Sequence, residues 1–302
     1  MKTTTALAAG AAVGMLAGFA GAVRLLHSDS AFAQQAVPAQ TSPAAPGRGA
    51  VGQTQAGTAG RGRGGGLNFH EPDPMAFDDH EGYLSLFDGT LKDWEGDPKF
   101  WRVENGALVG ERLPDQRPRN TFISYKGVEA RDFDLKLEVK VEKGGGTGIQ
   151  YRSKTGISWG NRMEEGMRLD WLMTGPQADF WFPVNPRSFV FTGQIYSENT
   201  PLGIIAWRGQ VVHLAQGKAA RLVGNIGDRS ALGGYVKIND WNQYLVIARG
   251  GTLLHIINGQ LMAVLVDDDP KSSMNQTGIF GIELEGQPSK VSVRNLWLKK
   301  HS

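Results

Sequence analysis

Between residues 133 and 141, Phe133, Leu135, Leu137, Val139 and Val141 alternate with Asp134, Lys136, Glu138 and Lys140. A period of two marks a strand with one apolar and one polar face. The same pattern, more broken, predicts strands over residues 148–153, 189–196, 235–238, 243–249, 278–284 and 290–298. The stretch LLHIINGQLMAVLVDDDP, residues 253–270, adds a hairpin with arms at 253–257 and 261–266. Its arms meet at Asn258-Gly259, a pair that tolerates the positive φ angles of a tight turn. No stretch carries a sustained helical stripe, and no segment recurs at a fixed period. Half-polar sheets must cover their apolar faces with one another, so the pattern predicts an all-β sandwich of two antiparallel sheets. Trp94, Trp101, Trp241 and Trp297 are expected in its core.

The alternation fails in the first quarter of the chain. Residues 1–33 carry Lys2, an apolar run over 6–23 and the small-x-small sequence Ala31-Phe32-Ala33, the pattern of a cleaved signal peptide. A retained membrane anchor is the alternative, but the run is rich in Ala and Gly rather than Leu and Ile, and no stable membrane insertion is expected after cleavage. Residues 34–66 are Pro, Ala, Gly, Gln and Arg in low-complexity order, which predicts a disordered linker ahead of a folded domain at 67–302. Arg61 and Arg63 lie among glycines, yet the net charge is only +2 and no aromatics interleave, so a solvated tether is expected and no nucleic-acid partner. The chain has no cysteine. An exported protein, periplasmic or extracellular, must then be held by its core, without disulfides or thiolate metal sites.

Particular motifs follow one another through the folded part. They run from YLSLFDGTL at 83–91 with Trp94, through FWRVENGAL at 100–108, DFDLKLE at 132–138, GIQYRS at 148–153 and QAD at 177–179. FTG at 191–193, DWN at 240–242, the hairpin from His255 to Pro270 and VRNL at 293–296 complete the series. In this order they resemble the family once catalogued as domain of unknown function 1080, whose members are described as 3-keto-disaccharide hydrolases, 3-keto-glucoside 1,2-lyases or 3-keto-2-hydroxyglucal hydratases. The resemblance covers roughly residues 82–299 and implies a concanavalin-like jelly roll acting on an oxidised glycoside. Two departures stand out. Glu285 occupies a place where members often carry histidine, and Gly146-Thr147-Gly148 replaces an Asn-Ser-Gly motif.

A carbonyl at C3 of a sugar acidifies the hydrogen at C2. Such chemistry needs a base, a stabiliser for the enediolate and an acid for the leaving oxygen. An ordinary glycosidase also uses two carboxylates, so carboxylates alone do not discriminate. Gln177 and Asp179 share a strand face, as do Gln150 and Arg152 in their own strand. The resemblance makes Asp179 a base or metal ligand, Arg152 an oxyanion partner, and Gln150 and Gln177 hydroxyl-binding groups; on an exposed face all four would be ordinary solvated residues. Glu138 is either catalytic or one half of a surface ion pair. Glu283 points opposite Ile282 and Leu284, into solvent or a groove, and Glu285 shares its face.

His255 points away from Leu254 and Ile256. It is either a general acid or base facing the same groove as Arg152, Gln177 and Asp179, or an interior histidine beside Leu253 and Ile257. Trp159, Trp171, Trp181 and Trp207 lie in irregular stretches suited to a sugar site, and Trp181 and Arg208 complete the substrate-binding candidates. Asp267, Asp268 and Asp269 before Pro270 predict a turn, with a divalent cation as the alternative use of their oxygens. A noncatalytic carbohydrate-binding or cell-envelope interaction sandwich is the rival to an enzyme.

Overall fold

The structure, a computed structural model, describes residues 71–116, 119–157, 171–182 and 191–302. The expected signal segment 1–33, the linker 34–66 and Trp159 lie outside these residues. The described residues fall in one unit, His70–Ser302.

Alternating residues give strands almost throughout. In chain order they are β1 (Leu84–Ser85), β2 (Trp94–Gly96), β3 (Trp101–Glu104), β4 (Ala107–Arg112), β5 (Thr121–Ala130), β6 (Phe133–Glu142), β7 (Gly146–Thr155), β8 (Met173–Trp181) and β9 (Ile195–Glu198). There follow β10 (Gly203–Ala206), β11 (Gln210–Leu214), β12 (Arg221–Asn225), β13 (Asn242–Arg249), β14 (Thr252–Ile257), β15 (Gln260–Asp267), β16 (Gly278–Leu284) and β17 (Ser289–Lys300). A short α-helix, α1 (Arg229–Gly233), is capped by Asp228, whose carboxylate accepts from the amides of Ser230 and Ala231.

The strands form two sheets. The larger runs β12-β11-β15-β14-β13-β6-β17-β4-β3 with β1 added beside β17, and the smaller runs β10-β9-β8-β7-β16-β5-β2. Pairing is antiparallel except between β11 and β15. This is the two-sheet sandwich expected from the pattern, in the jelly-roll form that the resemblance implies. The core lies between the sheets: Phe133, Leu135, Leu137, Val139 and Val141 of β6 meet Ile149, Tyr151, Ala178, Phe180, Phe280, Ile282 and Leu284 of the smaller sheet. At about 25 cal/mol for each Å² of apolar surface removed from water, this layer dominates the driving force for folding.

The hairpin of β14 and β15 forms as read, with φ of 50° at Asn258 and 80° at Gly259. Residues 235–238 do not form a strand, because Tyr235 and Val236 continue the turn that ends α1. The strand predicted at 189–196 begins only at Ile195 within the described residues, after a turn in which Gln194 N–H donates to Phe191 O. Trp94 and Trp101 are buried, whereas Trp241 and Trp297 sit half-buried on the outer face of the larger sheet. Arg294 covers the Trp241 ring at 4.0 Å, and the imidazole of His80 stacks on Trp297 at 4.2 Å. Asp267, Asp268 and Asp269 make the expected turn: Asp267 accepts from the amide of Asp269, Asp269 from that of Lys271, and Asp268 pairs with His213 at 2.5 Å. No helix among the described residues is long and apolar enough to cross a membrane.

Candidate active site

The outer face of the smaller sheet gathers the polar residues that the core face excludes. Register sets them side by side: Gln150 opposes Gln177, Gly148 opposes Asp179, and Gly146 opposes Trp181. On the other flank of β7, Gly281 opposes Gln150, which puts Glu283 on the same face two residues further on. Glu198 joins them from β9, opposite Gly175. Directly opposed residues of antiparallel strands point to one side, so four strands contribute to a single cluster.

The cluster is a hydrogen-bonded chain. The Ser153 hydroxyl donates to Gln150 Oε1 at 2.7 Å, and Gln150 Nε2 donates to Gln177 Oε1. Gln177 Nε2 then donates to Asp179 Oδ1 at 2.6 Å and to Glu283 Oε2 at 2.7 Å. Asn120 Nδ2 reaches Glu283 Oε1 at 2.6 Å, and Gln194 Nε2 reaches Asp179 Oδ2. Both carboxyls are thus gripped at both oxygens. They are also shut away from water, Asp179 being 3% exposed and Glu283 0%. Phe122, directly opposite Glu283, belongs to a small apolar cluster with Leu172 and Met173 that removes water on that side.

Burial of several carboxyls together controls their charge. Asp179 is pushed up to about 7, chiefly by burial; the amides of Gln177 and Gln194 pull it down and the charge of Glu198 pushes it up. Glu283 is raised well above the ordinary carboxyl range by burial and then by Glu285, Glu198 and Asp179. Glu285 is pushed to about 8 by burial and by the charges of Asp179 and Glu198. Like charges in a low-dielectric site cannot all ionise, so the cluster holds protons near neutral pH and can both give and take them.

Its half-buried edge is formed by Glu285 and Trp181. The two flank Gly146, whose carbonyl accepts from Glu285 N–H at 3.2 Å and whose missing side chain leaves room for the indole. A Cβ there would stand 2.6 Å from Trp181 Cδ2. Behind Trp181, Phe191 lies at 5.3 Å and Trp207 stacks on Phe191 at 5.9 Å. An aromatic edge beside a carboxyl suits the apolar face and hydroxyls of a sugar ring.

Gln150, Gln177, Asp179, Glu283 and Trp181 therefore stand together. Four other candidates stand elsewhere. Arg152 does not share the face of Gln150, because a bulge between Gln150 and Lys154, with φ of 49° at Arg152, turns the side chain away. Its guanidinium instead donates to the carbonyls of Arg131, Met274 and Gly250 at 2.7, 2.5 and 2.8 Å, and burial lowers it to about 10. Glu138 lies on the outer face of the larger sheet, across the whole sandwich, and accepts from Arg294 Nε at 2.8 Å and Asn295 Nδ2 at 2.5 Å. The surface ion pair is its observed state.

His255 faces the core between the sheets rather than the polar face, because its strand parity is that of Leu253 and Ile257. Its Nε2 accepts from the Tyr151 hydroxyl at 2.8 Å and its Nδ1 lies 3.0 Å from Gln194 O; burial lowers it to about 3, so the ring is neutral at ordinary pH. Arg208 is buried and donates to Thr192 O at 2.9 Å and Arg229 O at 2.8 Å. Conversely, Gln194, Glu198 and Asn120 belong to the cluster and carry no signal in the sequence, since no local pattern links them to residues 177–179. Among the described residues, no three of His, Asp or Glu are arranged as metal ligands.

Residues 82–299 match the family model of the 3-keto-alpha-glucoside-1,2-lyase-like domain. A 3-keto-disaccharide hydrolase of Bacteroides thetaiotaomicron is 32% identical over 84 residues, which cover 24% of this chain and 28% of the relative. The match thus spans less than a third of that relative. Among solved structures, a predicted glycosyl hydrolase from Parabacteroides distasonis aligns over 72% of this chain and 99% of its own, with a TM-score of 0.46 and 16% identity. A Bacillus subtilis protein with a galectin-like fold aligns over 70% and 90%, with a TM-score of 0.47 and 12% identity.

Proposed function

The chain belongs to the 3-keto-alpha-glucoside-1,2-lyase-like domain family, and from that premise we propose that it is an exported enzyme that cleaves a 3-keto-glycoside at its outer-face carboxyl cluster. The observation that carries this reading is the set Asp179, Glu283 and Glu285, all shifted toward the neutral form and opening beside Trp181. Carboxyls that change charge near neutral pH are suited to moving protons, since efficient general acids and bases titrate close to the working pH.

The steps follow from the substrate. The sugar ring lies against Trp181. The Asp179 carboxylate, held by Gln177 and Gln194, takes the hydrogen from C2, and the electron pair passes to the C3 carbonyl oxygen as an enediolate. That pair returns to form the C1=C2 bond as the C1–O bond breaks, and neutral Glu285 gives its proton to the departing oxygen. The product is an enone. Water adding at C1 with the same groups in reverse roles gives the free 3-keto sugar, so elimination followed by hydration amounts to hydrolysis. Export rests on the amino-terminal pattern at residues 1–33.

The depth of Asp179 and Glu283 favours a second reading, a noncatalytic carbohydrate-binding sandwich in which the cluster only fixes the sheet. The full chain is incubated with a 3-keto-glucoside, and aglycone release and enone absorbance are followed with and without chelator. The enzyme reading expects turnover that falls at least about 100-fold in D179N and E285Q while folding is kept. A chelator-sensitive rate would add a divalent cation to the scheme. Sugar binding with no turnover in the unaltered protein would leave the binding reading in place.

A further inference from the structure

Within the core between the sheets, His255 and the hydroxyls of Tyr151 and Tyr244 form a polar point among apolar side chains. His255 rises from β14 of the larger sheet between Leu253 and Ile257, and its two ring nitrogens both reach the smaller sheet and the turn before β9. A buried imidazole among Leu, Ile and Tyr is a costly choice, since an aliphatic side chain would pack there without polar atoms to satisfy. What it holds explains its place.

The turn over residues 191–194 leans on Asp179 twice. Gly193 N–H donates to the Asp179 carbonyl at 2.9 Å, and the Gln194 side-chain amide donates to Asp179 Oδ2. The turn is fixed from the other side as well: Arg208 donates to Thr192 O at 2.9 Å, Trp181 N–H donates to Thr192 Oγ1 at 3.0 Å, and His255 Nδ1 meets Gln194 O at 3.0 Å. Since Gln194 O can only accept, Nδ1 carries the hydrogen and Nε2 is left to accept from the Tyr151 hydroxyl at 2.8 Å. The Gln194 carbonyl therefore determines the tautomer. Tyr244 completes the enclosure, its hydroxyl 3.4 Å from Nδ1.

We propose that His255 is a positioning residue for Asp179: its Nδ1–H pins the Gln194 peptide so that the Gln194 side-chain amide stays on Asp179 Oδ2. Its role in activity rests on the function proposed above, but its effect on the Asp179 carboxyl does not. An amide donor favours the charged carboxylate, so releasing Gln194 raises the pH at which Asp179 ionises. The groups that face Asp179 are Gln177 on its own strand, Gln194 from the turn, Glu198 from β9, Glu283 and Glu285 from the β16 side, and the hydroxyls of Tyr151 and Tyr244 from the core. His255 contacts three of these, the Gln194 main chain and the hydroxyls of Tyr151 and Tyr244, so a change at His255 reaches Asp179 through them.

The test follows the Asp179 carboxyl by 13C NMR across pH in the full chain, beside turnover. H255L removes the donor to Gln194, whereas H255N keeps an amide hydrogen near the Nδ1 position. The midpoint, about 7 in the unaltered protein, should rise by about one pH unit in H255L. It should stay near its starting value in H255N. Q194L should reproduce the rise, and the double variant H255L/Q194L should add nothing further. If H255L does not fold, Y151F takes its place: the ring loses its Nε2 partner and is held less firmly against Gln194 O, and a smaller rise is expected. A folded H255L or Y151F with an unchanged midpoint, beside a Q194L that shifts it, would overturn the proposal. A shifted midpoint in a protein with no turnover would leave the proposal standing and remove the enzymatic reading.

Discussion

Gln177 reaches Glu283 across a strand: it stands on β8, Glu283 stands on β16, and β7 runs between them, yet Gln177 Nε2 lies 2.7 Å from Glu283 Oε2. The crossing is open because the intervening residue is Gly148, and a Cβ at that position would overlap the Gln177 side-chain amide. Replacing Gly148 by alanine should therefore push Gln177 off both carboxyls. G148A is expected to lose about 1–3 kcal/mol in urea denaturation, and to lose turnover more steeply than stability. Retention of full turnover would mean that the bridge plays no part in proton transfer.

Arg152 is expected to act on folding. Its guanidinium supplies hydrogen bonds to three main-chain carbonyls, those of Arg131, Met274 and Gly250, where the loops at one end of the sandwich converge. R152M leaves these acceptors without that donor and should cost at least about 3 kcal/mol. Denaturant melts of R152M and R152K decide the matter. A stable, inactive R152M would return the arginine to the chemistry.

Glu138 is expected to be silent in catalysis. It lies on the opposite outer face and pairs with Arg294 at 2.8 Å, partly exposed. E138Q should change stability by less than about 1 kcal/mol and leave turnover unaltered; a loss of turnover would contradict its placement.

Asp179 and Arg152 differ in how far a strand pattern determines where they point. Asp179 and Gln177 occupy a regular strand, where a period of two decides the face, and their grouping is legible in the sequence alone. Arg152 and Gln150 have the same spacing, but the bulge at Arg152 inserts a residue that no hydrophobic pattern announces. His255 is legible as to parity and not as to sheet face, because alternation says which residues share a side and not whether that side is the core. Leu253 and Ile257 beside it are the correct clue. Gln194, Glu198 and Asn120 reach the cluster through tertiary pairing alone. The chain order of the motifs identifies the fold, while the contacts that set charge depend on which strands become neighbours.

The hairpin turn offers a prediction independent of the site. Asn258 and Gly259 both hold positive φ, 50° and 80°. A β-branched residue at Gly259 meets the steric cost of the left-handed region, so G259V should destabilise by at least about 1–2 kcal/mol. G259N, which tolerates that region, should lose much less. Equal midpoints for the two variants in guanidinium would show that the turn relaxes to another type.

The carboxyl cluster also makes stability depend on pH in a direction opposite to that of a salt-bridged protein. Asp179 is held near 7 and Glu285 near 8, with Glu283 shifted the same way, whereas carboxyls in the unfolded chain titrate near 4. From about pH 4 to about pH 8 the folded state therefore binds more protons than the unfolded state, and stability falls as pH rises through the folded values. His255 acts the other way: lowered to about 3 when folded, it adds stability as pH rises from about 3 toward the ordinary imidazole value near 6.5. The two effects overlap below about pH 6.5, so the total curve does not separate them. A difference between proteins does, because E285Q leaves His255 untouched and removes one ionisation. E285Q should match the unaltered protein most closely at about pH 4, gain on it through neutral pH, and hold its largest advantage at about pH 9, read as the shift in urea midpoint at each pH. A gap of the same size at every pH would mean that Glu285 ionises in the folded protein as it does in the unfolded chain, and the proton-holding cluster would lose its outermost member.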